Sequence, residues 1–161
     1  MPEHDSLWYA SIIHNILRWG VVLFGLWAVV SAISGAASKR AYTASDKRPG
    51  MFFMIFCDIQ LLVGLFLYYK NEFFEAWSRA SVGDIMKDKF ARFWLVEHPV
   101  TMILAWLLVH IGYSSMKKAD TDAKKFKRAA IYFSIAFLLI LAAVPWPFRE
   151  IGIAKDWWPK M

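Results

Sequence analysis

The chain has 161 residues, 58% of them hydrophobic and 17% aromatic, with a formal net charge of +6 and a mean hydropathy of +0.38. Soluble domains are about 45–50% apolar, so the excess points to lipid and away from a soluble enzyme. The basic balance does not mark a nucleic-acid binder, because Lys and Arg sit in short clusters between apolar runs, which is the signature of membrane topology.

Taken in order, the chain opens without a cleavable leader. Glu3 and Asp5 stand where a basic start would be, and the first apolar run continues too far, so it reads as signal and anchor together. That run, 7–33, carries His14 and Arg18. The link 34–50 sets Lys39, Arg40, Lys47 and Arg48 against Asp46. The second run, 51–69, contains Asp58, Gln60 and Cys57, a lone cysteine that excludes an intrachain disulfide framework. In the link 70–92, five Lys and Arg nearly balance the acids, and Phe73, Phe74 and Trp77 suit a short helix lying on the outer surface. The third run, 93–116, opens as Phe93-Trp94-Leu95-Val96-Glu97-His98-Pro99 and also carries His110. The link 117–128 is strongly basic, and the fourth run, 129–148, has no ionisable residue in its middle and ends where Pro145 and Pro147 stop a helix.

Each run is close to the roughly 20 residues that a helix needs to cross the hydrocarbon. Barrel strands would alternate over about 10 residues, and nothing here alternates. The expected fold is therefore all-α: a single transmembrane domain, 1–161, forming an integral membrane four-helix up-and-down bundle. The basic links 34–50 and 117–128 belong in the cytoplasm, which places the link 70–92 and both termini outside.

Ionisable side chains inside such spans cost several kcal/mol unless a partner, a cofactor or water receives them. Counting helical rise from the outer face puts His14 about 10 Å deep and His98 about 8 Å deep, level with one another on different helices. Two imidazoles at one depth suit axial ligation of a b-type haem, with Gly20 thinning the first helix and Met102 extending the His98 face. The plainer alternative is that each histidine bonds a neighbouring backbone or hydroxyl group. Arg18, one turn deeper than His14, falls near the depth of Asp58, so an Arg18–Asp58 ion pair is the expected way to bury both. The functional alternative makes Arg18 a clamp for haem propionate or substrate, and Asp58 a proton carrier. Glu97 faces either the outer aqueous boundary or a quinone pocket. His110 lies some 18 Å below His98 and cannot share its iron; Met51 or Met54 would be its partners at a second metal or haem. There is no glycine-rich phosphate loop, no HExxH and no CxxC pair.

These residues carry a resemblance. Ile13-His14-Asn15-Ile16-Leu17-Arg18-Trp19 is similar to a His-x-x-Leu-Arg-Trp/Tyr signature. Asp58-Ile59-Gln60-Leu61-Leu62-Val63-Gly64 resembles a second-helix motif of the same proteins. Met86-Lys87-Asp88, Arg92 through His98, and Ala142 through Phe148 resemble their link, third helix and ending. Together they resemble the small four-helix membrane proteins of Bacteroidetes-type bacteria labelled "cytochrome b". That resemblance implies a haem b on His14 and His98. It departs at Asp58, where relatives often carry histidine, and His110 matches no motif of the family.

The function expected is a b-type-cytochrome-like electron-transfer protein or accessory subunit of the bacterial inner membrane, with one haem near the periplasmic face and both termini periplasmic. Its partners would be the lipid bilayer, a quinone or a periplasmic electron carrier, and a larger respiratory complex. Two rivals stand beside it. One is a non-haem metal- or proton-handling membrane protein using His14, Asp58, Glu97 and His98. The other is a non-catalytic subunit whose polar residues only lock helices together.

Overall fold

The computed structural model describes residues 5–150 and 153–158; Glu3, part of the acidic start, and the outermost residues of both ends lie outside them. All the regular structure described is helical. Helix α1 spans Ser6–Ser38, α2 Ala44–Lys70, α3 Phe73–Arg79, α4 Val82–Lys87, α5 Lys89–Arg92, α6 His98–Lys117 and α7 Asp122–Ala143, with a π-helical turn, Phe93–Glu97, leading into α6. Four stretches are long and apolar enough to cross a membrane: α1, α2, Lys89–Lys117 and α7. Their outward faces are correspondingly apolar, with Leu23, Leu62 and Leu138 each more than 60% exposed.

Local chemistry sets the helix ends. Asp5 caps α1 by accepting a hydrogen bond from the Trp8 backbone N–H at 2.9 Å. Asp46 in turn accepts from the backbone N–H and the hydroxyl of Thr43, each at 2.8 Å, closing the start of α2. That cap moves α2 upstream of the start at residue 51 expected from hydropathy. The helix runs through Pro49 and forfeits only the one backbone bond that a proline N–H would have donated. The surface link is likewise more finely divided than one short helix. It forms α3, α4 and α5, the latter two capped by Ser81 and Asp88. At the far end Ala143 closes α7, just before Pro145 as expected.

Helix α1 packs on α2 and α7, and α6 packs on α7 and α2, so the four long helices close a ring of antiparallel neighbours. The end carrying the two basic links is tightly filled. Phe53, Val109, Phe126, Phe133 and Met116 are at most 2% exposed there. A Cβ at position 35 would lie 2.1 Å from the Phe126 ring, so only glycine lets α1 approach α7 this closely. Tyr42, in the first link, sets its hydroxyl 3.1 Å from Met116 Sδ, and burial pushes its phenol up to about 12. The opposite end of the bundle is hollow.

Candidate functional site

The hollow is a cavity of about 560 Å³ bounded by α1, α2, α6 and the chain after α7, within the range of about 300–1,000 Å³ usual for ligand sites. His14 and Arg18 reach it from α1, Gln60 and Gly64 from α2, and His98 and Met102 from α6.

Proline shapes the α6 side. Pro99 has no N–H to return to the Leu95 carbonyl, and the turn before it widens into the π-helical Phe93–Glu97. The freed Leu95 carbonyl accepts a hydrogen bond from the Tyr68 hydroxyl at 3.1 Å. Tyr68 Oη in turn accepts from the Trp77 indole at 2.9 Å, which ties α3 to the rim. One extra residue in the turn resets the angular register of everything before His98.

His98 is oriented by backbone. Its Nδ1 lies 2.9 Å from the Ala143 carbonyl. A carbonyl only accepts, so Nδ1 carries the proton and Nε2 is left with a free lone pair. This is the arrangement in which a metal-binding imidazole is usually held. His14 is less constrained. Its Nδ1 is buried without a hydrogen-bond partner, and its ring fits because position 64 is glycine, where a Cβ would come within 3.2 Å of His14 Cε1. The centroids of the two imidazoles are 6.5 Å apart, and their planes are inclined at 67°. A metal bound at about 2.0–2.1 Å by one nitrogen of each ring sets the centroids roughly 6 Å apart. The observed spacing is thus of the size expected of two imidazoles that share one metal.

Arg18 does not meet Asp58. It is 6% exposed, and its Nη2 donates to Asn15 Oδ1 at 3.1 Å and to the backbone carbonyls of Asp156 and Trp157 at 3.1 and 2.8 Å. The guanidinium also lies 5.4 Å from the Trp19 ring and 5.9 Å from that of Trp146. Residues 155–158 thus lie back over the cavity, with Trp19 stacked on Trp157 and Lys155 N–H bonded to the Pro145 carbonyl at 2.9 Å. Arg18 Nε and Gln60 Oε1 remain buried without partners, while Gln60 Nε2 donates to the His14 carbonyl at 3.0 Å.

Other expected site residues lie elsewhere. Gly20 packs against Phe56, whose ring a Cβ at position 20 would meet at 2.3 Å, so it thins the α1–α2 contact and not the cavity. Glu97 pairs with Arg92 at 2.6 Å with its side chain 48% exposed, at the surface and not among the residues that line the cavity. Asp58 sits beside His110 and Trp106, and His110 therefore finds a carboxylate instead of Met51 or Met54. Of the residues of the metal- or proton-handling alternative, His14 and His98 share the cavity whereas Asp58 and Glu97 do not line it. Among the described residues no group of three or more His, Cys, Asp and Glu side chains is placed to hold a metal.

Several residues that build the site were missed in the sequence. Gln60 and Gly64 lay inside a quoted motif without a role. The backbone carbonyls of Ala143, Asp156 and Trp157 have no sequence signal at all, since every residue carries one. Comparison with family models, curated proteins and solved structures finds no match to this chain.

Proposed function

We propose that the protein is a membrane-embedded b-type cytochrome, holding one haem b between His14 and His98 and passing electrons near the face that carries both ends of the chain. The observation that carries this reading is the pair of imidazoles 6.5 Å apart across a cavity, with no third His, Cys, Asp or Glu grouped with them among the described residues. A bare zinc site would want further side-chain ligands, whereas a porphyrin brings four nitrogens of its own and needs two axial ones. Bound there, haem supplies a reversible one-electron couple.

The chain's own residues orient, screen and close. The Ala143 carbonyl fixes the His98 tautomer. Met102, Ile103, Ile140 and Val144 offer an apolar wall, and a low dielectric around the site tunes its potential. Arg18 Nε, unpaired in the cavity, and Lys155 at the rim are cations suited to the carboxylates of such a group. The folded-back tail sets the Trp158 ring on the cavity, where it is suited to limiting the entry of water. A single redox centre in one half of the bundle cannot carry electrons over about 30 Å of hydrocarbon. The role is therefore local, between a quinol and a periplasmic carrier, or as an accessory subunit of a larger membrane complex, and not that of a stand-alone enzyme.

Protein extracted from membranes should hold one haem b per chain by pyridine haemochromogen assay, and haem-free protein that stays haem-free after supplementation would overturn the reading. The same proposal places the basic links 34–50 and 117–128 in the cytoplasm. Alkaline phosphatase fused after the tail should then be active in cells, and a fluorescent cytoplasmic reporter at that point dark; the reverse pattern would contradict the orientation.

A further inference from the structure

We propose that Asp58 and His110 form a second site, a proton-binding pair in the seam between α2 and α6, midway along the bundle and separate from the imidazoles of the cavity. The inference rests on reading α2 and α6 as membrane spans and is independent of the haem.

The hydrogen bonding sets the proton count. His110 Nδ1 lies 3.1 Å from the Trp106 carbonyl of its own helix. That carbonyl can only accept, so Nδ1 bears a hydrogen. The other ring nitrogen, Nε2, lies 3.2 Å from Asp58 Oδ1. A neutral imidazole with Nδ1 protonated and an ionised carboxylate would set two lone pairs against each other at that distance. One proton between them removes the conflict. It sits either on Nε2, giving imidazolium and carboxylate, or on the acid, giving two neutral groups. Both states carry no net charge, as a site in hydrocarbon demands.

The surroundings keep the pair assembled and reachable. The Trp106 indole donates to the same Oδ1 at 2.6 Å, and the Trp106 ring lies 4.5 Å from that of His110. Among the described residues Asp58 Oδ2 takes no hydrogen bond, and the Asp58 and His110 side chains are 39% and 33% exposed. They sit beside the outward-facing Ile59, Leu62 and Leu107. A structural ion pair buried between helices would be covered on all sides. This one opens on the seam, where a lipid-soluble reagent can reach it without unpacking the bundle. The titratable group facing Asp58 from α6 is His110. On α2 itself the neighbouring Cys57 is buried in the core. On α1, Arg18 is engaged by Asn15 and the tail.

A lipid-soluble carbodiimide tests the pair. With N,N′-dicyclohexylcarbodiimide, the carboxyl oxygen of a protonated acid adds to the central carbon and the acid proton passes to nitrogen. The acyl group then shifts to nitrogen as a stable N-acylurea, with no change of oxidation state. Full-length protein in phospholipid vesicles, shown by carbonate resistance to be inserted, should form this adduct at Asp58 by peptide mass mapping. Asp58→Asn should abolish it. His110→Gln keeps a donor but cannot take up the shared proton as a cation. The proton of the pair then stays on the carboxyl, so labelling at one fixed pH should rise several-fold. No Asp58 adduct in inserted wild-type protein, or equal labelling in His110→Gln, would overturn the site. If His110→Gln does not insert, His110→Asn takes its place with the same two outcomes.

Discussion

His14→Ala and His98→Ala should each abolish the six-coordinate haem spectrum completely, whereas His110→Ala should leave it unchanged. The two cavity rings lie 6.5 Å apart on different helices, so in the proposed haem site each would supply one ligand and neither could substitute for the other. His110 is committed to Asp58 at 3.2 Å and to the Trp106 carbonyl. Both alanine variants should still insert, because each removes a polar group from the bundle and leaves its apolar faces intact. Removing His98 also orphans the Ala143 carbonyl, a loss of about 1 kcal/mol or somewhat more that a helical bundle of this size can bear. Absorption spectra of the ferric and dithionite-reduced forms check the result. Retention of a low-spin spectrum in either cavity variant, or its loss only in His110→Ala, would sink the assignment.

Arg18→Met should release the tail. Its guanidinium donates to two carbonyls of the segment that roofs the cavity, Asp156 and Trp157, and hydrogen bonds to a charged group contribute about 1.5–3 kcal/mol each. Losing about 3 kcal/mol of docking raises the open population by roughly a hundredfold. Trypsin cleavage after Lys155 should rise by a similar factor, since cleavage of a fast-opening segment follows its open population. Asp58→Leu should leave that cleavage rate alone and should add independently to Arg18→Met in thermal unfolding, because the two side chains share no partner. An unchanged rate in Arg18→Met, or strong coupling between the two substitutions, would contradict the contacts described.

The helical content of the chain was legible because apolar runs near the length of a membrane span leave few alternatives. The level placement of His14 and His98 was legible because depth along a helix follows from residue count alone. Angle around the helix was not. Arg18 and Asp58 share a depth, yet Arg18 turns to the tail and Asp58 to α6. On the helix that carries His98, the π-turn adds a further shift: the proline at position 99 widens the turn and changes the angle of Phe93–Glu97. Gly20 misled in a related way, since thinning a helix says nothing of which neighbour comes close, and here it is Phe56. The roof over the cavity was hidden for a different reason. The atoms that hold Arg18 there are backbone carbonyls of Asp156 and Trp157, and every residue carries one.

Electron paramagnetic resonance of the ferric haem protein tests the axial pair most directly, because it reports both ligands and their mutual orientation at once. Two imidazoles inclined at 67° should give a low-spin signal of strongly anisotropic type, as steeply crossed axial planes leave the iron d orbitals nearly degenerate. A high-spin ferric signal from well-folded, haem-loaded protein would mean that an axial position lacks its histidine, and would contradict the joint ligation of iron by His14 and His98.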